Sequence, residues 1–325
     1  MGWFLRLFRL LVCLGLALSL NFLLPRLMPG DPVAMLLGPD AVSLSKKDHG
    51  ALKAEYGLDR PLWEQYRSYG VNLLQGNLGY SFHHHLSVNR LVLAHLKRSL
   101  TLLAPALFLS TLAAAFLGTL AGWKRGTVLD RSVTFFAVLF FAMPSFLTAM
   151  MLLDLFGYRL EWFPLGGFFP GGDADRSWGD SLRAVFRYLT LPTCVLALTS
   201  VGAKYLVMRN AVAAAYGEDY VLYARAKGVS PWRIAFLHIF KNACLPLLHL
   251  VALHMGFMVS GAILVEIVFS INGMGILIFD AAMNRDYPVL QGAFFVLTLV
   301  VMGLNLIVDL IAGAIDPRIG RGRTL

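Results

Sequence analysis

The run SLTLLAPALFLSTLAAAFLGTLAGW, residues 99–123, contains no charged side chain. As a helix of 25 residues it reaches about 37 Å, enough to cross the roughly 30 Å of a bilayer's hydrocarbon core. Its apolar residues do not alternate with polar ones, as they do in the roughly 10-residue strands of an outer-membrane barrel. Five further stretches follow the same rule. Residues 10–24 come after Arg6 and Arg9, and residues 132–153 stop before Asp154. Residues 188–208 are interrupted by Lys204, residues 242–265 stop before Glu266, and residues 287–315 contain Asp309. The expected fold is all-α and integral to a membrane, with six transmembrane helices.

Composition agrees with that reading. Hydrophobic residues make up 58% of the 325 positions and charged residues 14%, against about 25% charged in a soluble domain. Mean hydropathy is +0.66. So few charges cannot clothe a soluble enzyme of this size, and so much apolar surface excludes a disordered chain. Cys13, Cys194 and Cys244 are too few for a disulfide framework and read as packing residues.

The net charge of +9 has a topological explanation. Lys124, Arg125 and Arg131 occupy one short connection, and Arg209, Arg225, Lys227, Arg233 and Lys241 another. Arg318, Arg321 and Arg323 lie in the tail, whereas the 270–286 connection carries only Arg285 among its basic residues. Short loops rich in Lys and Arg stay in the cytoplasm, so both termini are expected there and no nucleic-acid partner is needed. Residues 25–98 are also basic, but long loops translocate regardless of charge. The organisation expected is a first helix (1–24), an external loop or small cap (25–98), a five-helix core (99–315) with a cytoplasmic loop at 209–241, and a tail (316–325). Residues 10–24 lack a following small-x-small cleavage site and read as an uncleaved span. The 158–187 connection, with Gly166-Gly167 and Pro170-Gly171-Gly172, reads as an external loop with turns.

The cytoplasmic loop is the most informative segment. It runs Glu218-Asp219-Tyr220-Val221-Leu222-Tyr223-Ala224-Arg225-Ala226-Lys227-Gly228-Val229-Ser230-Pro231-Trp232-Arg233-Ile234, then reaches Leu245-Pro246. Helix formers end at Gly228, and Ser230-Pro231 suits the N-cap and first position of a second helix. The residues fit a helix–turn–helix that could act as a lever toward a cytoplasmic partner, and equally an ordinary amphipathic connector.

Ala-Arg-Ala-Lys-Gly (224–228) followed by Leu-Pro resembles the "EAA" loop of bacterial ABC importer permeases. More narrowly, the chain is similar to the B-type, first permease subunits of the dipeptide/oligopeptide/nickel importers. Pro29-Gly30-Asp31-Pro32, Tyr56-Gly57-Leu58-Asp59-Arg60-Pro61 and Gly76-Asn77-Leu78-Gly79-Tyr80-Ser81 share the likeness. So do Glu266-Ile267-Val268-Phe269-Ser270 with Gly273-Met274-Gly275, Arg285-Asp286-Tyr287-Pro288-Val289-Leu290-Gln291-Gly292, and Asp316-Pro317-Arg318-Ile319. The ordered set spans nearly the whole chain. It departs from the general consensus in lacking Glu-Ala-Ala and in the sixteen residues between Gly228 and Leu245, a longer form that resembles the peptide/nickel subgroup.

The resemblance implies a type I importer permease of the bacterial inner membrane. It implies a homologous second permease, two cytoplasmic ATPases and an external binding protein. Residues Tyr223, Ala224, Arg225, Ala226, Lys227, Gly228, Val229, Ser230, Pro231 and Trp232 would then couple to an ATPase. No Gly-x-x-x-x-Gly-Lys-Ser/Thr run occurs, so ATP and Mg²⁺ are expected on the ATPase chains and no cofactor on this one. Peptides are the expected cargo, with nickel or a metal chelate as the alternative.

Other polar residues carry less. Glu266 and Asp286 are candidates for an external gate, Glu266 equally for a cap or salt bridge at a helix end. Lys204 is expected to snorkel toward the cytoplasm beside Arg209. His83-His84-His85 could bind a metal, but three consecutive side chains do not point one way, and His49 and His95 are remote in sequence, so no metal site is expected. His249 and His254 lie five apart, about 140° around a helix, and make no clean metal face. Gly118 and Gly122, and Gly256 and Ser260, have the spacing for close helix contact. Pro105, Pro144 and Pro192 are expected to kink their spans. A membrane-embedded metal hydrolase would need a His-Glu-x-x-His helix. An ion-driven transporter would show repeats or midplane charges. The sequence offers neither.

Overall fold

A computed structural model describes residues 2–27, 59–81, 83–168 and 178–315. The motifs at Pro29–Pro32, at 56–58 and at 316–319, the cytoplasmic tail, His49 and Pro170-Gly171-Gly172 lie outside the described residues. The elements in chain order are helices α1 (Gly2–Leu27) and α2 (Leu62–Leu74), then strands β1 (Tyr80–Ser81) and β2 (Leu86–Ser87). Next come α3 (Val88–Trp123), α4 (Val128–Ala142) and α5 (Ser145–Leu152), the last continuing as a π-helix over Leu153–Arg159. Helices α6 (Trp178–Ala215) and α7 (Asp219–Ala226) follow. Then α8 (Pro231–Arg233) runs through a π-helix at Ile234–Ile239 into α9 (Phe240–Val268). The last two are α10 (Met274–Met283) and α11 (Tyr287–Ile315).

Among the described residues four stretches are long and apolar enough to cross a membrane: Val88–Trp123, Arg183–Ala215, Pro231–His254 and Tyr287–Ala314. The pair α4 and α5 makes a fifth only if counted as one span, because it is bent by 106°. The kink expected at Pro144 is thus a break in the helix between α4 and α5. Pro144 has no N–H to donate, and its ring forces the preceding residue out of the helical region. Met143 accordingly adopts φ −77° and ψ 135° and closes α4 through its N–H to Leu139 O. Pro105 and Pro192 do not break their helices and lie inside α3 and α6. The apolar part of α1, Leu10–Leu23, is shorter than the four.

Two boundaries also move. Helix α3 starts at Val88, so the last eleven residues of the expected loop are helical. The last ten residues of the expected 158–187 loop are helical too, since α6 begins at Trp178, and the 270–286 connection carries the apolar helix α10.

Two compact units emerge, residues 1–99 with 273–302, and residues 100–272 with 303–325. In the first, Phe22 of α1 packs edge-on against Tyr66 of α2 at 5.1 Å. Asn21 Nδ2 donates to Gln291 O at 2.7 Å, and Gln291 Nε2 donates back to Asn21 O at 3.1 Å, tying α1 to α11. Such reciprocal amides hold helices together where apolar burial gives no drive, as among lipid tails. β1 and β2 form an antiparallel hairpin, Tyr80 opposite Ser87. Val88, Val92, Met274, Leu277, Val289 and Ala293 form its core.

In the second unit α6 is the centre. Gly118 and Gly122 of α3 allow close approach: a Cβ on Gly118 would lie 2.7 Å from Met208 Cβ, and one on Gly122 2.6 Å from Arg209 O. Gly202 does the same toward α4, where a Cβ would collide with Ala137 O. The Gly118/Gly122 spacing thus marks a real crossing, while the side chains of the Gly256/Ser260 pair are outside the described set.

Candidate functional site

The helical turn at 219–233 is built by local chemistry. At the end of α7, Val229 N–H bonds Ala224 O at 3.1 Å and Gly228 N–H bonds Arg225 O at 2.9 Å. This double bond pattern satisfies the last carbonyls of a helix and requires a left-handed residue between them. Gly228 supplies it, with φ +75°. Ser230 then sits at the N-cap of α8 in extended conformation with Pro231 at the first position, but its side chain makes no capping hydrogen bond. The position is as expected; the capping bond is absent.

Each residue of the turn has a definable place. Val221 and Ala224 are buried, in one core with Met208 and Val212 of α6, Ile234 and Ile239 of the π-helix, and Leu247 of α9. Tyr223 is 63% exposed and Trp232 59%. Ala226, Lys227, Gly228, Ser230 and Pro231 are exposed, and Val229 is half-buried. Lys227 Nζ lies 4.5 Å from the Tyr223 ring centre. Arg225 is clamped: its guanidinium carbon lies 4.0 Å from the Tyr216 ring centre and 5.2 Å from that of Trp123. Its buried Nη2 has no hydrogen-bond partner among the described residues. Trp232 stacks on Phe236 at 5.1 Å. A 210 Å³ cavity opens between Trp123, Lys124, Pro231, Trp232 and Phe236. The turn is thus rooted in the same apolar core as α6 and α9, and presents aromatic and basic side chains outward.

Between the turn and α9 the chain is wound as a π-helix at Ile234–Ile239. A π turn closes i→i+5 hydrogen bonds and accommodates one residue more than the α-helix around it, and such bulges occur frequently at functional sites. Sequence reading missed it, because no residue type marks a π-turn.

It also missed Asp130. Arg209 of α6 donates from Nε to Asp130 Oδ1 at 2.6 Å and from Nη2 to Asp130 Oδ2 at 2.7 Å. Asp130 is 2% exposed and also accepts the Gly126 N–H at 2.9 Å. Its own backbone N–H bonds the Thr127 side chain at the N-cap of α4. This bidentate pair locks α4 to α6 at the end nearest the turn. Arg209 and Asp130 are 79 positions apart, and only the fold joins them.

Lys204 corrects an expectation. It does not snorkel: it is fully buried, and its ammonium donates to Ser110 Oγ of α3 at 2.6 Å. Glu266 is also fully buried, at the end of α9, where its carbonyl accepts Ile271 N–H at 2.8 Å. Asp286 belongs to the first unit. It accepts the Val289 N–H at 3.3 Å, at the start of α11, and the Ser81 hydroxyl of the hairpin at 2.5 Å. Ser81 Oγ in turn accepts His84 N–H at 3.0 Å. His83, His84 and His85 form the hairpin's turn, with His85 at φ 52°. The His83 and His84 rings meet edge to face at 5.0 Å. Among the described residues no three His, Cys, Asp or Glu side chains are placed to hold one metal ion. His249 Nδ1 bonds its own helix at Leu245 O.

Long apolar helices with a charged turn rooted in their core mark an integral membrane protein. Residues 114–321 match the family described as binding-protein-dependent transport system inner membrane component. The chain belongs to that family, and is a multi-pass protein of the inner membrane. It is similar to the dipeptide transport system permease protein of Escherichia coli K12, 31% identical over 92% of this chain and 93% of the relative. It is likewise similar to the di/tripeptide transport system permease protein of Pseudomonas aeruginosa UCBPP-PA14, 34% identical over 94% of each. A Brucella suis biovar 1 protein provisionally named a peptide permease is 36% identical over 96% of this chain and 97% of its own length.

Proposed function

We propose that this chain is the first permease subunit of an ATP-driven peptide importer. It pairs with a homologous permease, two cytoplasmic ATPases and an external binding protein that delivers the substrate. The names of the relatives, which specify peptides, dipeptides and tripeptides, favour peptide over nickel or a metal chelate. The chain needs no cofactor of its own, with ATP and Mg²⁺ bound by the ATPases. Its six crossings are α1, α3, the broken pair α4–α5, α6, α8–α9 and α11. Both termini and the 209–241 loop face the cytoplasm, and the α2–hairpin segment forms an external cap. The basic residues of the 123–131 and 209–241 connections support that orientation.

The observation that carries the reading is the turn Tyr223–Trp232, exposed at Tyr223 and Trp232 yet rooted through Val221 and Ala224 in the core of α6 and α9. Docked in an ATPase groove, it transmits closure of the ATPases to those helices as a rigid lever. The π-helix at Ile234–Ile239 gives the lever a place to bend. A ligand-driven switch between two states needs such a bistable connection. Glu266 and Asp286 are proposed to hold the external end shut in the resting state.

The test is uptake of radiolabelled di- and tripeptides, with co-purification of the ATPases, in cells carrying Tyr223→Ala/Trp232→Ala. Normal membrane insertion with loss of both ATPase retention and uptake supports the coupling turn. Full uptake and retention would sink it.

A further inference from the structure

The flank of α4 carries a groove that the transport reading does not use. It encloses 620 Å³. One end is polar and charged, with Asp130, Arg131 and Thr134 of α4 and Arg209 of α6, and the other is apolar, along Phe135, Val138, Leu139 and Ala142. From Arg131 to Ala142 is about 17 Å of helix, close to one leaflet of a hydrocarbon core about 30 Å thick. The groove ends where α4 ends, at the 106° break beside Pro144.

The charged end is net basic. Asp130 is spent on Arg209 and on Gly126 N–H. The Arg131 guanidinium is exposed and makes no hydrogen bond or ion pair among the described residues. Lys124 and Arg125, both exposed, lie in the turn before α4. An occupant must therefore be negative at one end and apolar along about one leaflet's length. A partner helix would run on past the break, and a zwitterionic lipid would bring its own ammonium to Arg131.

We propose that this groove binds one anionic phospholipid, its phosphate on Arg131 beside the Asp130–Arg209 pair and an acyl chain along Phe135, Val138 and Leu139. Basic pockets between transmembrane helices favour such headgroups. The site is independent of the cargo and of the coupling turn. Phe135 is 63% exposed and Val138 40%, so both can contact lipid in the protein as it stands.

Native mass spectrometry of the full chain, purified in mild detergent and given dioleoyl phosphatidylglycerol or dioleoyl phosphatidylethanolamine, tests this. The phosphatidylglycerol adduct is expected to dominate. Arg131→Gln lowers it about fivefold, the worth of one basic side chain near an anionic headgroup, while Arg187→Gln at another exposed position leaves it unchanged. Val138→Trp, which fills the groove, also reduces it. Equal retention of the two lipids, or the same effect from Arg131→Gln and Arg187→Gln, overturns the proposal. So does loss of a co-purifying membrane protein in Val138→Trp with lipid retention unchanged, which assigns the groove to a protein partner.

Discussion

Three residues show how single positions carry the molecule's physics. Gly228 holds φ +75° with open space around it, so the constraint there is backbone conformation and not room. Gly228→Ala is expected to cost about 1–2 kcal/mol, the penalty of a left-handed L-residue, and Gly228→Pro more, because its ring fixes a negative φ. Ser270 and Arg285 pay that penalty already, at φ 52° and 55°, in the same double-bonded helix ends. Ser270→Gly is therefore expected to raise thermal stability by up to about 1 kcal/mol, read as the melting temperature of the purified protein. Lys204 is the costlier residue, buried on one hydroxyl acceptor among the described residues. Ser110→Ala should destabilise by about 3 kcal/mol or more, because the donor it orphans is a buried charge. Adding Lys204→Met should restore the loss. If the double variant melts lower than Ser110→Ala alone, the ammonium has a role beyond packing.

At the scale of elements, what matters is close helix crossings and the π-helical winding at Ile234–Ile239. Gly202→Leu on α6 must push α4 away, since even a Cβ would meet Ala137 O and Phe141. Overpacking of this kind costs about 1–3 kcal/mol, and reduced expression with a lowered melting temperature is the expected result. The π-helix makes a sharper prediction. Deleting Leu237, which is 69% exposed, would convert Ile234–Ile239 to ordinary α-helix and remove the proposed hinge while leaving the turn near its present register on α9, because a π turn holds one extra residue in about the same rotation. Membrane insertion is expected to survive and ATP-dependent uptake to fail. Retained uptake would mean that the bulge is an incidental winding of the chain.

The whole molecule raises the question of sidedness. With the three native cysteines replaced, a membrane-impermeant maleimide applied to intact cells lacking an outer-membrane barrier should label His85→Cys in the hairpin and spare Ser230→Cys in the turn. Opening the cells should then expose Ser230→Cys. The reverse pattern would invert the topology and remove the coupling turn from the cytoplasm.

The sequence by itself determined the membrane class, because a bilayer demands about 20 apolar residues per helix and tolerates few charges. It also determined the turn at Gly228 with Pro231 after it, because helix ends are set by the backbone of one or two residues. Only the tertiary structure decided the rest. Asp130 and Arg209 meet because α4 and α6 cross, and nothing local pairs residues 79 positions apart. Three prolines read alike, yet Pro144 breaks a span while Pro105 and Pro192 stay within theirs. Whether the helix continues through a proline is settled by the packing around it. Lys204 had a stem long enough to reach water and was instead enclosed between helices beside Ser110. Hydropathy registers how much each segment avoids water; which side chains face each other depends on helix rotation and crossing, quantities that no single segment contains.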